Sequence, residues 1–269
     1  MMANPESQES VTERAALLKQ LHAGPGMLVL PNAWDAASAR VIEAAGFLAL
    51  ATTSAGVANA LGYEDHQGAP ASEMLEAAAR VTRAVSIPVT IDFEAGYGMS
   101  PAEVVEQLIA VGAAGFNFED SDHDSNAAMI DAELQAERIA AIKSESAKAG
   151  VDLVLNARVD VFIHRQGTLQ EQATEGLRRA RLYKDAGADC IYPILLADET
   201  IIADFVAAVG PINVNLRPDG PLTLQTTAAL GVRRISYAAS LFRAALNTLE
   251  GLTADIRTQT VALPGPPVG

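Results

Sequence analysis

Short apolar runs rich in β-branched residues alternate with longer stretches of helical period along almost the whole chain. The runs are Met27–Pro31, Phe47–Ala51, Ile87–Ile91, Gly115–Phe118, Asp152–Leu155, Asp189–Tyr192, Ile212–Val214 and Val232–Ser236. Between them, segments such as SEMLEAAARVTRAV and DETIIADFVAAVG place apolar residues three and four apart, and several close on glycine, which ends a helix before the next strand. Short uncharged runs separated by helices are what a parallel sheet covered on both faces requires. Eight such βα units predict an α/β fold, a (β/α)8 TIM barrel. A doubly wound open sheet is the alternative.

Residues 1–26 carry one helical pattern, VTERAALLKQLHAG, expected to cover the lower mouth of the barrel or pack on its side. Residues 251–269 form a C-terminal tail ending in PGPPVG, a stretch that can form neither helix nor ladder. No linker divides the chain, so residues 1–269 read as a single barrel domain.

Composition narrows the picture. With 49 % apolar but only 5 % aromatic residues, the core is built from Ala, Val, Leu and Ile. A formal charge of -14 excludes nucleic acid and anionic membrane as partners, and any anionic substrate needs a local cation. The single cysteine, Cys190, excludes an internal disulfide. The first thirty residues lack a secretory pattern, and no stretch approaches the ~20 apolar residues of a membrane span, so a cytoplasmic protein is expected.

In such barrels reactive groups sit where strands end. Asp65 follows the second run, Asp92, Glu94 and the glycine-flanked Tyr97 the third, Glu119 the fourth, Arg158 and Asp160 the fifth, and Asn213, Asn215 and Arg217 the seventh. Spaced by two, Asp92 and Glu94 would share one face of a strand. With Glu119 they would set three carboxylates around one point, a repulsion that a divalent ion relieves. No His or Cys cluster accompanies them, so Mg²⁺, or Mn²⁺, is preferred over zinc. The plainer reading makes the pair helix caps or solvent-facing groups. Arg158 suits bidentate capture of a substrate carboxylate, or equally an ion pair to Asp160 or Glu119.

Five blocks, PNAWDAASARVIEAAGF, TTSAGVANALGYED, IPVTIDFEAGYG, GFNFED and LNARVDVFI, resemble in order and spacing the isocitrate lyase/phosphoenolpyruvate mutase superfamily over residues 27–245. The resemblance implies a barrel that exchanges its last helix between subunits, as homodimer or homotetramer, and an Mg²⁺-assisted enolate of a 2-oxo acid. It implies that Asp92 holds the metal directly, and Glu94 and Glu119 through water. Asp65 would neighbour the reacting carbon. Backbone amides around Ser54, Ala55 and Gly56 would form the oxyanion turn, Arg158 would grip a carboxylate, and Asn213 and Asn215 would receive the distal one.

The chain also departs from the superfamily. The loop after the fourth run reads EDSDHDSNAAMIDAE, without the K-[KR]-C-G-H motif of the lyases or the lysines of the phosphonate branch, where Asn126 alone stands as a counterpart. Ile194 occupies the place of a lyase glutamate after the sixth run. The candidates for the missing acid or base are His123 and Tyr97, although a loop histidine between aspartates is equally a solvated one. The expectation is an Mg²⁺-dependent enzyme that makes or breaks the carbon–carbon bond beside the oxo or hydroxy carbon of a small (di)carboxylate. Alternatives are oxaloacetate decarboxylation or hydrolysis, phosphonopyruvate hydrolysis, or non-catalytic binding of a 2-oxo acid.

Overall fold

A computed structural model describes residues 5–123, 125 and 128–259. The C-terminal PGPPVG stretch and Asn126 lie outside the described residues.

Each apolar run becomes a strand, and five of the strands run past their apolar runs into polar residues. In chain order these are β1 (Leu28–Leu30), β2 (Asn32–Ala33), β3 (Leu50–Thr52), β4 (Val89–Asp92), β5 (Gly115–Glu119), β6 (Val154–Val159), β7 (Cys190–Pro193), β8 (Asn213–Asn215) and β9 (Arg234–Ser236). All pairings between these strands are parallel. The order is β2-β3-β4-β5-β6-β7 in one sheet and β1-β9-β8 in another. Pro31, lacking an N–H, separates β1 from β2, but its carbonyl still accepts from Ala51 N at 3.0 Å. A single parallel bridge, Ile191 to Ile212, links β7 to the start of β8. The circuit of neighbours thus returns to its start, the (β/α)8 arrangement, with its ladders thin at those two places.

Helices cover the outside: α2 (Ala36–Ala44), α3 (Ser54–Leu61), α4 (Ala71–Ala84), α5 (Pro101–Ala110), α6 (Ala132–Lys148), the short α7 (Val161–His164), α8 (Leu169–Asp185), α9 (Glu199–Val209), α10 (Leu224–Ala229) and α11 (Ser240–Gln259). Their starts are written in the sequence. Ser100 and Thr168 form capping boxes with Glu103 and Glu171, and Pro101 opens α5.

The N-terminal helix α1 (Pro5–Ala23) packs near the starts of the strands, in keeping with the first of the two placements considered for it. Its Leu18 packs with Leu28, Leu30 and Val154, and its Lys19 pairs with Asp152 and Asp189, which precede β6 and β7. No helix among the described residues is long and apolar enough to cross a membrane.

Alternation along the strands sorts side chains onto two faces. Val89, Ile91, Phe116, Phe118, Leu155, Ala157, Val214 and Ile235 face the helices and form the main core. Thr90, Asn117, Asn156, Asn213 and Arg234 lie between them, equally buried. Asn117 Oδ1 accepts from Asn156 Nδ2 at 2.8 Å and from Arg234 Nη2 at 3.2 Å. β5 and β9 are not neighbours, so the second bond crosses the barrel. Its interior is polar.

Candidate active site

The polar interior rises to a cavity of about 160 Å³ at the C-terminal ends of the strands. Of the residues singled out in the sequence, Ser54, Ala55, Asp65, Asp92, Arg158 and Asn215 line it. Gly56, Glu94, Tyr97, Glu119, His123 and Asn213 do not line it.

Asp92 ends β4 and is the best-oriented group. Its Oδ2 accepts from Ser54 N at 3.0 Å and Ser54 Oγ at 2.8 Å, its Oδ1 from Asn117 Nδ2 at 3.1 Å, and its own N–H donates to Thr52 Oγ1. Thr53 caps α3 and so brings the Ser54 amide to Asp92. This changes the expected oxyanion turn. The Ser54 amide is engaged by Asp92 and the Gly56 amide by Thr53 Oγ1 at 3.4 Å, and of the three residues Ser54 and Ala55 stand at the cavity wall.

Glu94 does not share a strand face with Asp92. The strand stops at Asp92, and Glu94 sits in the following turn at φ 48°, where period-two spacing no longer applies. Its Oε1 accepts from Gln67 N at 2.7 Å, and its Oε2 accepts from the Tyr97 hydroxyl. Burial raises the pKa of Glu94, with Asp92 and Asp65 adding to the effect. Tyr97 packs on Phe93 and holds Glu94; burial and that carboxylate push its phenol far above the ordinary range. It is placed to orient Glu94 rather than to reach the cavity. His66, Gln67, Glu94 and Tyr97 all adopt positive φ here, a concentration of backbone strain of the kind that collects at functional sites.

Arg158 lines the cavity and also makes the ion pairs of its plainer reading. Its Nε and Nη2 grip Asp160 at 2.7 and 2.9 Å, Nη2 also meets Glu119, and Nη1 lies 3.9 Å from Asp92. The forked edge that would capture a substrate carboxylate is therefore engaged inside the protein. Burial opposes its charge, but Asp160 and Glu119 more than offset this. Glu119, fully buried, has its pKa held well above the carboxylate range by burial. Its other oxygen meets His123 Nε2 at 2.7 Å, a hydrogen bond that raises the histidine pKa. His123 is thus half-buried and partnered rather than solvated. It lines a second, neighbouring cavity of about 760 Å³.

Asn215 Oδ1 accepts from Leu195 N at 2.9 Å at the rim. Asn213 lies deeper, donating to Ser236 Oγ at 3.0 Å, and is not among the residues that line the cavity. The sequence reading missed Asn32, Asn117, Tyr192, Ser236 and Arg243, and left Arg217 without a role; all line the cavity. Asn117 and Ser236 were findable as the polar members of alternating strands.

Four carboxylates, Asp92, Glu94, Glu119 and Asp160, share one guanidinium and one imidazole here. Among the described residues no three His, Cys, Asp or Glu side chains are placed to hold a metal together, so the three carboxylates do not converge on one point. A surplus of acid behind the two carboxylates that line the cavity, Asp65 and Asp92, suits a hard divalent cation that keeps most of its waters, as Mg²⁺ does.

Residues 18–257 match the family described as phosphoenolpyruvate phosphomutase. The chain belongs to the isocitrate lyase/phosphoenolpyruvate mutase superfamily. It is 35 % identical to an uncharacterised Mycobacterium tuberculosis protein over 222 residues, 81 % of each chain. It is 30 % identical to the 2-methylisocitrate lyase of Escherichia coli over 249 residues, covering 86 % of this chain and 78 % of that one. A solved structure of oxaloacetate acetylhydrolase with oxalate superposes with a TM-score of 0.81 at 26 % identity, over 96 % of this chain and 92 % of that chain. The relatives and the matched family thus comprise a lyase, a hydrolase and a mutase.

Proposed function

We propose that this chain is an Mg²⁺-dependent carbon–carbon lyase acting on small 2-oxo or 2-hydroxy dicarboxylates. The observation that carries the reading is Asp92, held rigid by Ser54 and Asn117 at the wall of a small cavity in a lyase and mutase superfamily. Asp92 would hold the ion directly, with Glu94 and Glu119 reaching it through water. The bound ion would supply a Lewis acid for the substrate's C1 carboxylate and C2 oxygen.

The chain's own groups do the rest. Ser54 and Asn117 keep Asp92 from rotating, so little reorganisation accompanies the reaction. Asp65, which lines the same cavity, orients a proton or the departing group. His123 and Glu119 hold a proton between them at 2.7 Å, and Arg158 fixes Glu119 from its other side. The fate of the second fragment is decided at the loop after β5, which has neither Cys nor Lys in EDSDHDSNAAMIDAE. That absence favours a second reading on the same site, hydrolysis of oxaloacetate to oxalate and acetate or its decarboxylation to pyruvate, because neither needs a loop thiol.

The test is incubation with Mg²⁺ and, separately, 2-methylisocitrate, oxaloacetate and phosphonopyruvate, following pyruvate, oxalate and phosphate. Pyruvate with succinate from 2-methylisocitrate supports the lyase, oxalate with acetate the hydrolase, and pyruvate with phosphate a phosphonate hydrolase. Binding without any product makes the protein a carrier of 2-oxo acids.

The assembly we assign is a homodimer or homotetramer built by exchange of α11. The support is Leu246, Leu249, Leu252 and Ile256, which repeat at helical spacing along α11 and are all exposed. A monomer by light scattering would remove that assignment.

A further inference from the structure

Each reaction in view for this site leaves an electron pair on carbon. Cleavage beside C2, hydrolysis or decarboxylation of oxaloacetate, and hydrolysis of phosphonopyruvate all end only when that carbon has taken a proton, so the site needs an acid. The two candidates read from the sequence do not supply it: the Tyr97 hydroxyl donates to Glu94, and His123 faces the neighbouring cavity. Among the described residues that line the small cavity, Tyr192 is the only phenol, imidazole, thiol or ammonium group. It stands near the end of β7, buried and in register with Arg158 on β6. Ser236, on β9, hydrogen-bonds the phenol. Ser236 Oγ in turn accepts from Asn213 Nδ2 at 3.0 Å, and a serine so engaged can give its one O–H to the phenol oxygen. The phenol O–H is thereby left to point at a ligand.

We propose that Tyr192 is the general acid that protonates the carbon freed by bond cleavage. The proposal rests on the reading of the site given above. When the bond between C2 and the adjoining carbon breaks, its electron pair stays on that carbon and the Tyr192 proton passes to the pair. The C2 hydroxyl proton leaves to solvent as C2 becomes an oxo carbon; in hydrolysis the proton that leaves is that of the water added at C2. The phenolate regains a proton from solvent, so atoms and charge balance with no added reactant. The surroundings suit both halves of this cycle. Burial holds the phenol protonated at neutral pH, whereas Arg158 and Ser236 favour the phenolate once the proton has gone. A carbanion beside a carboxylate is a far stronger base than a phenolate, so the transfer runs downhill. The cavity volume, about 160 Å³, equals roughly five waters of liquid and keeps a bound substrate close to every wall.

The experiment compares the wild type with Tyr192→Phe, which keeps the ring and removes the O–H. Turnover of 2-methylisocitrate, oxaloacetate and phosphonopyruvate in Mg²⁺ is followed alongside oxalate binding by calorimetry. For whichever substrate the wild type converts, kcat should fall ~100-fold or more in Tyr192→Phe, with oxalate affinity unchanged. Ser236→Ala, which removes the support for the phenolate, should lower kcat ~5-fold and leave KM in place. Product from Tyr192→Phe at near the wild-type rate overturns the acid alone. Loss of oxalate binding together with turnover in that variant does the same, because it would make Tyr192 a residue that only shapes the cavity. No product from the wild type on any of the three substrates overturns the reading of the site, and the acid with it.

Discussion

The barrel strands have two buried faces that do opposite work. Outward, Ile91, Phe116, Phe118, Val214 and Ile235 meet the helices and build the core. Inward, Asp92, Asn117, Glu119, Arg158, Asn213, Arg234 and Ser236 make polar contacts with their neighbours and build the site and its floor. Alternation between apolar and polar residues usually means one face toward water. Here closure of the sheet hides the polar face, and that face must satisfy its own hydrogen bonds. The outer face holds the fold through area and packing, whereas the inner face holds geometry.

This contrast can be broken by mutation. The largest effect expected is on the outer face. Phe118→Ala, which empties a fully buried site beneath Arg138, should cost about 3–5 kcal/mol in denaturant unfolding. A loss under 1 kcal/mol would remove the claim that stability resides there.

The next effect comes from the base of the inner face. Burial lowers the His22 pKa to about 4, so the folded protein binds fewer protons than the unfolded chain between that value and 6.5. Its contribution is complete above pH 6.5 and is lost as pH falls through the window, on the order of 3 kcal/mol. His22→Gln should flatten the stability profile between pH 6.5 and 4. An equally steep profile in the variant would assign the acid sensitivity elsewhere.

At the site itself, Asp92→Ala should lower turnover by ~100-fold or more while thermal unfolding moves little. Loss of fold and activity together would make Asp92 a structural residue. The smallest change expected is from Ser54→Ala, which removes one of two donors to Asp92 Oδ2 and keeps the backbone amide. The Mg²⁺ concentration for half-maximal activity should rise ~5-fold, with kcat nearly intact. An unchanged Mg²⁺ requirement would uncouple Ser54 from the ion.

Much of this architecture was legible in the chain. All eight apolar runs seed strands, because local pattern and tertiary role agree there. The strands outlast the apolar runs that seed them: Asn156–Val159 and Glu119 continue their ladders, because the barrel supplies partners to buried polar groups that a lone strand lacks. Asp92 was legible for the same reason that Glu94 was misplaced. Both follow an apolar run, but spacing carries orientation only while the strand lasts, and the positive φ at Glu94 cannot be seen in the letters DFEAGYG. Arg158 was visible, its occupancy was not, since Asp160 and Glu119 compete for it only once β5 and β6 lie side by side. Arg243 had no local signal. It sits on a helix like any surface arginine, and only the closure of the barrel brings it to the mouth.

Arg234 remains, fully buried, donating to Asn117 Oδ1 and paired at 3.2 Å with His22 Nε2, while Asn117 holds Asp92. His22 belongs to α1, which by position resembles a dispensable leader to the barrel. Three hydrogen bonds nevertheless connect that leader to the carboxylate at the opposite end of the molecule. A chain trimmed to begin at the first strand would leave a buried guanidinium short of an acceptor and loosen the floor under Asp92. The proper minimal enzyme begins with its N-terminal helix.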